Sequence, residues 1–125
     1  MTPPTLSTRA LNRALLARQH LLERSAAPPL AMVRHLVALQ AQNPQDPYLA
    51  LWSRIDGFSA IELSDAVGDG RAVRIGLLRT TLHLVTDDDA RSTWPLVRPV
   101  LVRAWSHSPF RRDLPGIGVE DILDA

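Results

Sequence analysis

Gln40 and Gln42 are the side chains in this sequence whose spacing best suits chemistry, and Ala41 separates them. The sequence contains no cysteine, which excludes disulfides, thiolate metal sites and a cysteine nucleophile. The acidic run at residues 87–89 is a competing candidate for a metal site. However, no histidine or further carboxylate stands at ligand spacing, and acids directly after Thr86 favour the start of a helix instead.

A glutamine side chain can orient a water molecule, although a neutral amide cannot act as a strong base. Positioning alone lowers a reaction barrier substantially, so two glutamines suit a substrate with a good leaving group. In a continuous helix, residues two apart point about 200° away from each other. Gln40 and Gln42 can therefore address one water only if the helix ends between them, and Asn43–Pro44 favours such an ending. If this segment lines a solvent cleft, Ala41→Asp should barely affect the fold. The alternative is that the glutamines only bond to nearby carbonyls at a helix end.

Arginine supplies all 14 basic side chains, and the net charge of the chain is only +1. Coding bias explains the absence of lysine most simply. A surface that binds nucleic acid must therefore be local. Arg9 and Arg13 fall on one stripe of the first predicted helix, where they are candidate phosphate contacts. The same stripe could also be an ordinary solvated face.

Two helices are predicted in the first third of the chain. The first spans about residues 7–24, with Ser7 as its cap and an apolar arc opposite the arginine stripe. The second begins near Pro29 and is apolar in nearly every direction, which is typical of a helix at the centre of a small bundle. Asn43–Pro44 ends it, because the residue before a proline avoids helical conformation.

Two shorter helices should follow. Asp46 is expected to cap the first of them, with Pro47 in the tolerant first position, and Trp52 is interpreted as a core residue rather than a stacking platform for bases. Ser59 and Glu62 form a capping box at the start of the second, since each can bond to the backbone N–H of the other.

The hydrophobic period then changes. Alternating apolar residues predict two strands across residues 72–85, and Thr86 with the acids after it predicts a further helix start. Pro95 and Pro99 are expected to interrupt that next segment. A last helix is predicted over residues 118–125, where it has little to pack against.

This order of elements predicts a mainly α fold with a small β-hairpin, that is, a winged-helix domain related to the helix-turn-helix. We expect residues 1–110 to form this winged-helix-type DNA-binding domain. We expect residues 111–125 to be the start of a following segment that is truncated here.

Three segments in this order resemble the AlkZ-like family of winged-helix DNA glycosylases. The most specific is Leu-Gln-Ala-Gln-Asn-Pro at residues 39–44, followed by Pro-Tyr-Leu-Ala-Leu-Trp-Ser-Arg at 47–54. Residues 10–19 and 78–85 supply the other two, and the resemblance covers roughly residues 6–105. Members of that family are much longer than this chain, so the resemblance implies a truncated member that lacks C-terminal domains.

The resemblance implies a monofunctional glycosylase without metal or cofactor, which hydrolyses the N-glycosidic bond of alkylated bases in damaged double-stranded DNA. The catalytic signature of the family is glutamine–apolar–glutamine, which Gln40, Ala41 and Gln42 match. Some members carry aspartate at the second polar position. His83 lies in a segment similar to one of the family and could contact DNA, although a buried histidine with satisfied hydrogen bonds is an equal alternative. The DNA-binding candidates are Arg9, Arg13, Arg54, Arg74, Arg79 and His83.

Two other functions remain open: a non-catalytic DNA-binding or regulatory module with the same fold, and an interaction domain without activity. The helix after Ser59 stands where a winged helix carries its recognition helix, yet it shows Glu62 and Asp65 and no arginine. Acids there would repel phosphate, which disfavours sequence reading by this helix. No apolar run approaches the length of a membrane span. We therefore expect a cytoplasmic, nucleoid-associated protein that does not bind membranes.

Overall fold

The computed structural model describes residues 5–113 and, beyond them, residues 116 and 118. Within this part, the chain forms five α-helices and three β-strands. In chain order these are α1 (Thr8–Arg18), α2 (Pro29–Leu36), β1 (Leu39–Gln40), α3 (Asp46–Trp52), α4 (Ala60–Gly68), β2 (Ala72–Gly76), β3 (Leu82–Thr86) and α5 (Asp87–Ser106). Short 3₁₀ turns lie at Leu78–Thr80 and Pro109–Asp113. The predicted class, mainly α with a small β-hairpin, is confirmed for the helices and the hairpin.

The three strands form one antiparallel sheet in the order β1-β3-β2, so that β3 is the central strand. β2 and β3 pair over their whole length, which confirms the two strands predicted within residues 72–85. At the tip of this hairpin Arg79 and Thr80 have positive φ values of 53° and 62°. Both are central residues of a β-turn within the loop of residues 77–81, in which the N–H of Thr81 donates to the carbonyl of Leu78 at 3.2 Å. Since glycine and asparagine are the usual residues there, an Arg–Thr pair is a weak turn signal.

Helices α2, α3 and α4 supply half of the buried residues of a hydrophobic core that they share with the sheet. Its buried members are Met32, Val33, Leu39, Ala41, Leu51, Ile55, Leu63, Ala66, Ala72 and Leu84. The predicted cap of α4 is confirmed, because the Ser59 hydroxyl accepts a hydrogen bond from the N–H of Glu62 at 3.4 Å. Trp52, by contrast, is 58% exposed. Its ring lies under the guanidinium of Arg24, 5.1 Å from the ring centroid, so its interpretation as core is wrong.

Helix α2 ends at Leu36, well before the predicted end at Asn43–Pro44. Val37 follows with φ at 68°, which interrupts the helical backbone. The chain then becomes strand β1, in which Leu39 pairs with Leu84 and Gln40 with His83. The prediction of helix through residues 37–42 is wrong because pairing with β3 outweighs the local helical pattern.

Helix α5 continues through Pro95 and Pro99, so the predicted interruption is wrong. Each proline removes one backbone donor and normally destabilises a helix interior. Here both prolines are exposed, while the helix packs against β2 and β3. Its start is as predicted, because the Thr86 hydroxyl accepts a hydrogen bond from the N–H of Asp89 at 3.2 Å.

Helix α1 begins as predicted, with the Ser7 hydroxyl accepting a hydrogen bond from the N–H of Ala10 at 3.2 Å. It ends at Arg18 instead of continuing to residue 24, because His20 adopts a positive φ of 54°. None of its residues is buried, so the predicted apolar arc is not packed on the core.

Residues 110–112 fall in the second 3₁₀ turn. The helix predicted for residues 118–125 lies outside the described residues apart from residue 118, and the domain boundary after residue 110 stays a prediction. No helix in the described part of the chain is long and apolar enough to cross a membrane.

Candidate functional site

Gln40 and Gln42 lie at the end of β1, on either side of a buried residue. Ala41 is completely buried, whereas both glutamines are exposed. The N–H of Ala41 donates to the carbonyl of Leu82 at 2.9 Å, which extends the pairing of β1 with β3. Gln40 is the last residue of β1, and Gln42 follows in a bend just beyond the strand. Both exposed glutamines lie away from the core that Ala41 enters, and no helix end lies between them.

The amide of Gln42 is held by the sheet. Its Oε1 accepts a hydrogen bond from the N–H of Leu82 at 3.1 Å. The side chain thus satisfies a backbone donor at the start of β3. One lone pair of Oε1 and the two N–H bonds of the amide remain for other partners. The predicted alternative, in which the glutamines bond to nearby carbonyls, is not what Gln42 does.

His83 is the residue directly opposite Gln40 in the sheet. Because Ala41 donates to Leu82 across the ladder, the Gln40–His83 pair is one of the non-hydrogen-bonded pairs, in which side chains approach most closely. The His83 ring is 7% exposed, and its Nδ1 lies 2.8 Å from the carbonyl of Thr81. A carbonyl can only accept, so Nδ1 carries a proton and, in the neutral ring, Nε2 holds a lone pair.

An open pocket of about 550 Å³ lies beside Gln40, between the end of α1, the end of α2 and α3. This volume is within the range of about 300–1,000 Å³ common for small-ligand sites. The polar residues of its lining are Arg18, Gln19, His35, Gln40, Asp46 and Arg54. Gln42 is not part of that lining.

Arg54 reaches this pocket with most of its donors already engaged. Its Nη1 donates to the carbonyl of Ala50 at 2.7 Å and to the hydroxyl of Ser53 at 3.1 Å. Its Nη2 donates to Oε1 of Gln19 at 3.3 Å, which connects α3 to the end of α1. The Nε atom is buried without a partner, and burial lowers the pKa of the guanidinium from its usual value. Arg54 thus fixes one wall of the pocket. One N–H of its Nη2 takes no part in these hydrogen bonds.

Asp46 lines this pocket, although the sequence predicted a different role for it. It was expected to cap α3, but the helix begins at Asp46 and the cap position belongs to Gln45, which makes no side-chain cap bond. No local signal identifies Asp46 as a pocket residue, because its position beside Gln40 depends on how α3 packs against β1.

The remaining candidates for DNA contact lie apart from this pocket. Arg9 and Arg13 are exposed on α1. Arg74 is exposed on β2 while Val73 is half-buried, in agreement with the predicted alternation. Arg79 is exposed at the tip of the hairpin. The structure therefore brings Gln40, Gln42 and His83 together and adds Arg54 to the pocket, whereas the other four arginines form separate surface positions.

A second pocket, of about 580 Å³, lies between α2, the end of α4 and the start of α5. Its charged residues are all paired: Arg34 with Asp88, Arg71 with Asp69, and Asp87 with Arg91 outside the lining. None of the predicted site residues lines this pocket. The pocket beside Gln40 is therefore the better candidate for a functional site.

The acidic run at the start of α5 is used for capping and ion pairing. Asp89 bonds to the Thr86 hydroxyl at 2.5 Å, Asp87 pairs with Arg91 at 3.0 Å, and Asp88 pairs with Arg34. Across the described part of the chain, no group of three histidine or carboxylate side chains is arranged to hold a metal ion.

One comparison with known proteins gives a match. The family model described as DNA glycosylase AlkZ-like matches residues 33–125 of the 125-residue chain. No curated protein and no solved structure matches significantly.

Proposed function

Because this chain belongs to the AlkZ-like DNA glycosylase family, we propose that it binds damaged double-stranded DNA and hydrolyses the N-glycosidic bond of an alkylated base. Gln40 and Gln42 act as the pair that positions the attacking water. The reaction uses no cofactor, because the leaving base brings its own positive charge.

The observation that carries this proposal is the exposure of the two glutamines on either side of buried Ala41. Gln42 is held by the N–H of Leu82, so its amide is fixed before any ligand arrives. A preorganised acceptor accelerates a reaction because little entropy is lost when the water is aligned. Gln40 borders an open pocket in which a nucleotide extruded from the duplex can be placed.

The chemistry of two neutral amides fits this substrate class. A base alkylated on a ring nitrogen is cationic, and it leaves as a neutral molecule without a strong general acid. The sugar then develops oxocarbenium character at C1′, and a water held nearby completes the hydrolysis. Unmodified nucleosides lack this leaving group, so the same pair of amides would leave them intact.

The element order supports a winged helix as the fold that presents this site. The chain forms, in order, a helix (α2), a strand (β1), two helices (α3 and α4) and a hairpin of two strands (β2 and β3). Strand β1 joins the hairpin to complete a three-stranded sheet. In this assignment α4 takes the place of the recognition helix, and the turn at Leu78–Thr80 is the tip of the wing.

DNA contacts should avoid the exposed side of α4. Glu62 and Asp65 lie exposed there, and their charges repel phosphate. The exposed arginines at the hairpin and on α1 offer phosphate contacts instead. Lesion recognition through the wing and the pocket suits this charge distribution better than the reading of base edges by a helix.

The decisive experiment is the release of N7-methylguanine from duplex DNA under single-turnover conditions. We expect release by the wild-type chain and a rate lower by about 10²-fold in Gln40→Ala/Gln42→Ala, because the water loses its alignment. Gln45→Ala is the matched control, since Gln45 is exposed, makes no cap bond and lies outside the pocket lining. Thermal unfolding of each variant shows that the fold is retained.

Two results would contradict the proposal. If the double variant, folded like the wild type, released the base at the wild-type rate, the glutamines would not position the water. If the folded wild-type chain bound the duplex but released nothing, it would be a non-catalytic DNA-binding module.

A further inference from the structure

We propose that Asp46 is a second catalytic group of this site, a carboxylate that stabilises the positive charge of the reacting sugar and accepts the proton of the attacking water. This inference rests on the proposed glycosylase function and adds a residue to it. It concerns a side chain on α3, apart from the glutamine pair on β1.

The first argument is location. Asp46 and Gln40 line the same pocket, although they come from different elements. Asp46 is the only carboxylate among the residues described as lining it. A group extruded into this pocket therefore meets one negative charge, and that charge belongs to Asp46.

The second argument is that the structure gives the Asp46 side chain no other task. Among the described residues, it has no hydrogen bond and no ion pair from its carboxylate, and it does not cap α3. Asp87 and Asp89, by contrast, are engaged in bonds to Arg91 and Thr86. A half-buried carboxylate without a protein partner is available to a ligand.

The third argument concerns the charges that face Asp46. Arg18, His35 and Arg54 border the same pocket. Arg54 donates to the Ala50 carbonyl, Ser53 and Gln19, and Nε2 of His35 lies 2.7 Å from the carbonyl of Arg18, to which it donates. These contacts hold the basic groups against protein acceptors rather than against Asp46. Arg18 and the unused Nη2 N–H of Arg54 are left for the phosphates of an extruded nucleotide, and the carboxylate is left for its sugar.

The step that follows is balanced. The C1′–N bond breaks and its electron pair neutralises the cationic base, which departs. The water oxygen forms a new bond to C1′, and its proton passes to the Asp46 carboxylate. Fixed negative charge at a developing cation is most effective when it is in place before the reaction.

The test measures recognition of charge without relying on turnover. Two duplexes are compared, one with a neutral tetrahydrofuran abasic site and one in which the sugar is replaced by a pyrrolidine that is protonated at neutral pH. We expect the wild-type chain to bind the cationic duplex about 10-fold more tightly, which corresponds to 1.4 kcal/mol. Asp46→Asn should bind both duplexes equally well.

Asp65→Asn is the matched control, because it removes the same charge from an exposed position on α4 outside this pocket. It should keep the wild-type preference, even if its affinity for both duplexes changes. Base release by Asp46→Asn, measured alongside, should fall with the loss of the preference.

Either of two outcomes overturns the role of Asp46: a wild-type chain that does not distinguish the duplexes, or an Asp46→Asn variant that keeps the full preference. If base release still depends on Gln40 and Gln42 in that case, the proposed function stands without Asp46. If the wild-type chain neither releases the base nor prefers the cation, both proposals are wrong.

Discussion

Ala41→Asp tests the geometry on which the site depends. Ala41 is completely buried, between two exposed glutamines, and its neighbours in the core are apolar. The new carboxylate would enter the core without a cation or donor to pair with it. The sequence led us to expect little effect of Ala41→Asp on the fold only if the segment lines a solvent cleft, and the burial of Ala41 does not meet that condition.

The size of the effect follows from this burial. An uncompensated buried charge costs about 3–5 kcal/mol. For a domain of this size, 1 kcal/mol shifts the melting temperature by about 4 °C, so the midpoint should fall by roughly 12–20 °C. Urea unfolding followed by circular dichroism gives the change in the free energy of unfolding directly.

Two controls separate burial from the chemistry of aspartate. Gln42→Asp adds a charge at the adjacent exposed position and loses the bond to the Leu82 N–H, so it should lower the free energy of unfolding by only about 1 kcal/mol. Ala41→Asn introduces a side chain of the same shape as aspartate but without its charge. It should therefore lower the free energy of unfolding by less than Ala41→Asp does. If Ala41→Asp were as stable as Gln42→Asp, Ala41 would face solvent. The inference that both glutamines point away from the core around Ala41 would then be wrong.

Two further predictions concern the start of α5 and the tip of the hairpin. Thr86→Val keeps the shape of a side chain that is only 6% exposed but removes its hydrogen bonds with Asp89. The free energy of unfolding, measured by urea titration, should therefore fall by about 1–2 kcal/mol. An unchanged midpoint would show that this cap contributes nothing to stability. Arg79→Ala should weaken binding to duplex DNA and reduce the slope of log affinity against log salt concentration by about 1, because one phosphate contact is lost. Arg91→Ala, whose guanidinium pairs with Asp87, should leave that slope unchanged, and equal slopes for the two variants would exclude a DNA contact at the tip.

Features fixed by short-range interactions could be predicted from the sequence. Ser7, Ser59 and Thr86 cap their helices as expected, because the donor and acceptor of a cap lie within three residues of each other. The β2–β3 hairpin followed from the alternation of apolar side chains, which depends only on extended backbone. The identity of the glutamine pair also came from the sequence, since its residue types and spacing can be read directly.

What tertiary structure alone decided is how those glutamines are oriented and what surrounds them. The residues after Leu36 carry a helical pattern, yet they form β1 because β3 offers them a partner strand from more than 40 residues further along the chain. That pairing buries Ala41, leaves Gln40 and Gln42 exposed and sets His83 opposite Gln40. The pocket joins Asp46 and Arg54 to this group only through the packing of α3. Contacts between distant segments leave no local pattern in a single sequence, because burial and strand pairing are properties of the folded chain as a whole.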